Sequence, residues 1–362
     1  MNSRSTFLAL PSAISLIVLS VVFGASSGLQ PERAPIQSKE LKPGQTSPQT
    51  RSGEFQEDLN SIDVKDSKFP PVQVTLLERT EGKNAVYFSE HLRVTFRPGD
   101  PQDLYVILPA ALKNPPVVLY IYSYPETVAR FQMEQWALSA VAQGYAAIGF
   151  SSGIMGDATN HDLSREKFLI QFPQNLLRAA HDIQLVLNYL ATRGDLNLAA
   201  VGMYAAGSGG SAGILASAAD SRIKVLDVFG PWGAWPEFFA NSSIIPLGKR
   251  DTFLKPEYLQ SLAKFDPVAW FPKCRARSVR IQDVRQQDLV PGGAQQKIED
   301  AAPDFAEVNQ FEDSRVLLEM QGAGRVFGWT QAQLRPDAKP QTVAEKSKRI
   351  HYYAGKGHTI AE

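Results

Sequence analysis

Val201-Gly202-Met203-Tyr204-Ala205-Ala206-Gly207-Ser208-Gly209-Gly210-Ser211-Ala212-Gly213 is the stretch on which the fold turns. A short apolar run enters a glycine-rich turn, and small residues follow. The pattern reads as a strand passing through a tight turn into a helix. That form carries one of three things. It can present a nucleophilic serine on a strained elbow, cradle a dinucleotide pyrophosphate, or be a turn that has lost its chemistry.

Working outward, Val72–Glu78 and Leu92–Phe96 read as strands by alternation and β-branched content. Leu104–Leu108 and Val117–Tyr122 are short apolar runs bounded by Pro and Asn, and Tyr145–Phe150, Leu198–Tyr204, Ile223–Phe229, Val279–Val284 and Arg349–Tyr353 also read as strands. Helical spacing marks Phe131–Ala142, Asn175–Leu190, Ser211–Ala219 and a segment from about Ala294. Strands alternating with helices predict an α/β fold: a mostly parallel central sheet, helices on both faces, and an antiparallel leading edge. Pro231–Cys274 is rich in Trp, Phe and Pro and interrupts the alternation, as a cap would. A second irregular insertion spans about residues 303–340.

The chain has 362 residues, 44% hydrophobic, with 37 basic and 37 acidic side chains. That balance gives no general attraction to nucleic acid or acidic lipid. Arg4, the apolar run Phe7–Phe23 and small residues at 24–28 have the layout of a signal peptide or N-terminal anchor over residues 1–28. The expected destination is the periplasm or the exterior, with a membrane reached only through such an anchor. Residues 29–66 are rich in Gln, Pro, Ser, Lys and Glu and read as a disordered linker, which leaves 67–362 as the folded domain. Cys274 is the single cysteine, and no zinc-type His or Cys spacing occurs, so no metal or cofactor is expected.

Three signals follow one another in a fixed order. They are the turn after Tyr204, then Asp288-Leu289-Val290-Pro291, then Gly355-Lys356-Gly357-His358. Nucleophile, acid, histidine is the order of the α/β-hydrolase triad. Over about residues 70–362 the chain resembles that superfamily, and within it the dienelactone-hydrolase and prolyl-oligopeptidase-like branches. The resemblance implies a serine hydrolase cleaving an ester or related acyl bond of a small molecule or peptide. Ser208 would attack, His358 would act as base and Asp288 would orient it. The oxyanion hole would use the backbone N–H of Gly209 and of Tyr124.

Two registers of the elbow stay open. Ser208 has small residues two before and two after it, as the tight turn demands. In family sequences of the form Val-Gly-φ-φ-Gly-x-Ser-x-Gly-Gly, however, the serine lies six residues after the valine. Counting from Val201 places Gly207 there, and Ser208 then caps the helix. The acid is Asp288, or else Asp283 or Asp227. Trp232 and Trp235 either line a substrate pocket or form the core of the cap. His181 falls off the apolar stripe of its helix and reads as a surface residue.

Two other readings stand beside the hydrolase. Gly207-x-Gly209-x-x-Ala212, with Asp227 on the next strand, matches a dinucleotide fingerprint. The Gly207 register itself implies a catalytically inactive hydrolase fold that binds a ligand or partner.

Overall fold

The computed structural model describes residues 55–125, 128–142, 144–155, 165–317, 325–335, 337–341, 349–353 and 357–361. The stretch expected to be a signal or anchor, and most of that expected to be a linker, fall outside them. Among the described residues, eleven strands form one sheet in the order β1-β2-β3-β5-β4-β6-β7-β8-β9-β10-β11. They are β1 Gln73–Glu81, β2 Tyr87–Arg97, β3 Asp100–Pro109, β4 Pro116–Ile121, β5 Ala146–Phe150, β6 Asn197–Ala206, β7 Ile223–Phe229, β8 Ser278–Val284, β9 Glu307–Phe311, β10 Arg349–Tyr353 and β11 Gly357–Ala361. β1 to β3 pair antiparallel, and β3 joins β5 antiparallel. From β5 across to β10 every pairing is parallel. The continuous apolar run at β5 fits a strand covered on both faces, and β7 is buried at all but Lys224 although it carries Asp227. β1 is the reverse case, an edge strand exposed along its whole length.

The longer helices among the described residues are α1 Glu134–Val141, α2 Arg165–Ala191, α3 Gly207–Ala219, α4 Trp235–Asn241, α5 Pro256–Ala263, α6 Gly292–Ala301 and α7 Arg325–Leu334. α2 packs on α3, and α7 packs on β6 and β7. α2 begins ten residues before the predicted Asn175 and carries Pro173 inside it. A proline there cannot donate to the carbonyl four residues back. That carbonyl, of Leu169, instead accepts the Tyr258 hydroxyl from α5 at 2.5 Å, so the break in the helix becomes an anchor for the cap.

Three sequence expectations change. β9 and α7 lie within the stretch read as an irregular insertion. Gly357–His358, read as a loop, belongs to β11. The linker does not run to residue 66: from Phe55 onward the chain is packed, with Ile62 only 6% exposed. Its clasp is a buried charge network. Arg97 binds Glu57 through Nε (2.7 Å) and Nη2 (2.6 Å) and pairs with Asp182. His181, expected at the surface, is fully buried; its Nδ1 meets Glu57 at 2.7 Å and its Nε2 meets the Ser61 carbonyl at 2.8 Å. Burial pushes the Glu57 carboxyl up, but hydrogen bonds from Arg97 and His181 outweigh it and hold the group down at about 2.

Candidate active site at the β6–α3 elbow

β6 ends at Ala206, and the chain turns sharply into α3. The strained residue of the turn is Gly207, with φ +52°. Left-handed backbone suits glycine, because it has no β-carbon to clash. Gly207 holds this left-handed position as the first residue of the helix, and Ser208 follows it in the same turn.

Ser208 is fully buried and fully committed. Its Oγ donates to the Ile154 carbonyl (3.0 Å) and accepts the Tyr124 N–H (3.1 Å). Its own N–H donates to Ser123 Oγ (3.1 Å), and the two hydroxyls are 3.2 Å apart. The predicted Tyr124 N–H therefore does point into the elbow, but a protein hydroxyl occupies it. Ser123 also fills the space in front of Gly207: a β-carbon there would lie 2.6 Å from Ser123 Cβ and closer still to its Oγ. Gly209 serves close packing, since a β-carbon on it would lie 2.5 Å from the Tyr122 carbonyl.

Aromatic side chains roof the elbow. Trp232 is fully buried, with its ring 5.6 Å from Phe172 and 5.0 Å from Phe238, and Tyr124 stacks on Phe168 at 4.1 Å. The Trp232 Nε1 edge faces Gly207, 3.3 Å from where a β-carbon would stand. Trp235, also buried, lies against Phe172 and Phe239. Both tryptophans are core of the cap, and Ser211 fixes the first by donating to its carbonyl at 2.6 Å.

The remaining candidates do not converge on Ser208. Asp288 is exposed in the loop after β8, where its carbonyl accepts the Ser243 N–H at 2.8 Å. Asp283 is buried beneath α6 beside Glu299; burial and that neighbouring charge push its carboxyl well up. Asp227 is fully buried, bound by Arg280 (3.1 and 2.6 Å), Gln282 (2.8 Å) and Thr330 of α7 (3.1 Å). It can neither orient a histidine nor hold a ribose.

His358 lies opposite Tyr352 in the β10–β11 pair. From β6 to β11 is five strand spacings. At close to 4.8 Å each, that is about 24 Å, far beyond the reach of an imidazole. Of the other described histidines, His91 stacks on Tyr105, His181 belongs to the clasp and His351 stacks on Tyr353. Among the described residues, no three His, Cys, Asp or Glu side chains gather as a metal site. Sequence reasoning missed Ser123 and Ile154. The first was within reach, because the loop after β4 was already expected to supply an N–H.

Solved structures with this architecture include acetyl xylan esterase 1 from Thermoanaerobacterium sp. JW/SL YS485, at 13% identity and TM-score 0.55, covering 73% of this chain and 88% of that one. Pyrococcus horikoshii acylaminoacyl peptidase matches at 13% identity and TM-score 0.55, over 72% of this chain and 44% of that one. Acetyl xylan esterase from Paenibacillus sp. R4 matches at 15% identity and TM-score 0.50, over 70% and 88%. The chain has the α/β-hydrolase fold. No protein-family model matches it, and no curated protein matches it by sequence. Within the hydrolase fold the elbow is present in shape, with glycine at its tip and its hydrogen-bond donors turned on the protein's own hydroxyls.

Proposed function

We propose that this hydrolase-fold protein binds its ligand or partner without cleaving it through a serine at the elbow. One observation carries the reading: the left-handed tip of the turn is Gly207, and Ser123 fills the place of its missing side chain. Without a β-carbon at the tip there is no hydroxyl to activate. Ser208, one residue on, already gives its proton to Ile154.

A second reading keeps Ser208 as nucleophile in an ester or acyl hydrolase, with His358 and Asp288 as partners. Its support is the fold shared with esterases and a peptidase, together with the contact between Ser208 Oγ and the Tyr124 N–H. It requires the elbow and the β10–β11 hairpin to rearrange.

One experiment separates the two. The protein is treated with a fluorophosphonate probe, and turnover of short-chain p-nitrophenyl esters is measured in parallel. The binding reading expects no adduct on Ser208 and the same turnover in Ser208→Ala. An adduct at Ser208, lost together with turnover in that variant, establishes the hydrolase instead.

We also propose export, on the Arg4 and Phe7–Phe23 layout. Among the described residues no helix is long and apolar enough to cross a membrane. N-terminal sequencing of the mature protein tests cleavage near residue 28.

A further inference from the structure

Upstream of β1 the chain forms a small closed loop. Gln56 and Lys68 exchange backbone hydrogen bonds at 2.9 and 2.7 Å, and Ser67 Oγ accepts the Asp58 N–H across the loop at 2.9 Å. The middle of the loop lies on α2. There Gln184 Nε2 donates to the Ile62 carbonyl at 2.7 Å, and Gln184 Oε1 accepts the Val64 N–H at 3.3 Å. Closed at its base and seated on a helix, this segment is a strap rather than a tail.

One anchor of the strap leads to the floor of the elbow. Glu57 fixes Arg97, Arg97 pairs with Asp182, and Asp182 accepts the Ser152 hydroxyl at 3.1 Å. Ser152 opens a turn, which the Met155 N–H closes on its carbonyl at 2.9 Å. Inside that turn Ile154 presents the carbonyl that takes the Ser208 hydroxyl. Arg97, Asp182, Ser152 and Ser208 are all at most 5% exposed. Buried polar groups must keep partners, so displacing one member of the series obliges the next to move.

The other anchor leads to the roof. Asn60 Oδ1 accepts the Nζ of Lys264, just past α5, at 2.7 Å. Tyr258 of α5 packs on Phe239 of α4, with ring centres 5.3 Å apart. Phe239 lies 5.5 Å from Phe238, and Phe238 lies 5.0 Å from Trp232, whose edge faces Gly207. Ser208 and Trp232 are fully buried, so a ligand reaches the elbow only after floor or roof moves. Both run back to the same short segment.

We propose that residues 56–68 are a strap that holds the elbow shut, and that the elbow opens when the strap lifts. Lifting it frees the turn at Ser152–Met155 and the α5 side of the cap together, and uncovers the Tyr124 N–H with the Ser208 hydroxyl. The strap controls access whether the elbow binds or cleaves, and its test reads opening rather than activity.

Hydrogen exchange of the full chain under native conditions, resolved to single amides, tests this. In the unaltered protein the strap amides of Ser67 and Lys68 and the elbow amides of Tyr124 and Met155 should open with one free energy, below that of the β7 amides. Glu57→Gln should then speed exchange at all four by one common factor, on the order of 100-fold at pH 6. Elbow amides that keep their parent rates in the variant open without the strap and overturn the proposal. Elbow amides that open only together with β7 overturn it as well. Should the variant fail to fold, a urea series on the unaltered protein decides. The four amides should merge into one exchange isotherm while β7 stays closed, and an elbow that merges with β7 before it merges with the strap overturns the proposal.

Discussion

The hydroxyl of Ser123 stands where the β-carbon of a nucleophile at Gly207 would have to be. The two positions exclude each other, and that exclusion is measurable. Gly207→Ser should cost about 1–3 kcal/mol for its left-handed backbone alone, with further loss from the overlap. Combining it with Ser123→Gly should recover the overlap but not the backbone cost. Denaturant melts of the four proteins should therefore show a favourable coupling of about 0.5–3 kcal/mol.

Ser208→Ala should weaken the fold. It leaves the Tyr124 N–H and the Ile154 carbonyl buried without a partner. A loss of about 1–3 kcal/mol is expected in urea unfolding. A variant as stable as the parent would mean that these bonds are not made in solution.

Asp227→Asn should be among the most damaging single changes. Arg280 is almost fully buried against that carboxylate, and Thr330 of α7 shares it. Stranding a buried charge costs about 3–5 kcal/mol. The same change should speed hydrogen exchange in α7, which mass spectrometry can read.

Acid should loosen the N-terminal clasp. The Glu57 carboxyl is held down at about 2 in the folded protein, below the 4.5 it has when free. Its contribution is complete above 4.5 and fades as pH falls from there toward 2. The full difference is about 3 kcal/mol. Glu57→Gln should be clearly less stable than the parent at pH 6, and the gap should close by pH 2 in unfolding curves at both values. A gap independent of pH would mean that the carboxylate charge is not what holds the segment.

Much of the parallel half of the sheet was legible because short runs rich in Val, Ile, Leu and Phe stand between glycine, proline and charged turns. Ile223–Phe229 and Val279–Val284 coincide with strands to within a residue. β9 was not, because Glu307-Val308-Asn309-Gln310-Phe311 carries polar side chains to a buried surface, and polarity masks the period of a strand. At the site, local spacing located the elbow and left two registers. The positive φ at Gly207, on which the proposed reading rests, is a property of the folded backbone that spacing does not encode. His358 misled because a glycine-flanked histidine after a strand looks the same in sequence whether it turns back over the sheet or continues as a hairpin. Ser123 lies 85 residues from Ser208, and no local pattern encodes such a contact.

The clasp reaches further than its own stability. Asp182, paired with Arg97, also accepts the Ser152 hydroxyl at 3.1 Å, two residues before the carbonyl that holds Ser208. The folded body therefore begins before its first strand. During synthesis the segment around Glu57 emerges early and meets Arg97 40 residues on, but the clasp cannot close until His181 of α2 follows, 124 residues after Glu57. A shortened protein starting at β1 would take Glu57 from Arg97 and His181 and uncover both, so a truncation for expression that keeps the clasp must start upstream of Glu57.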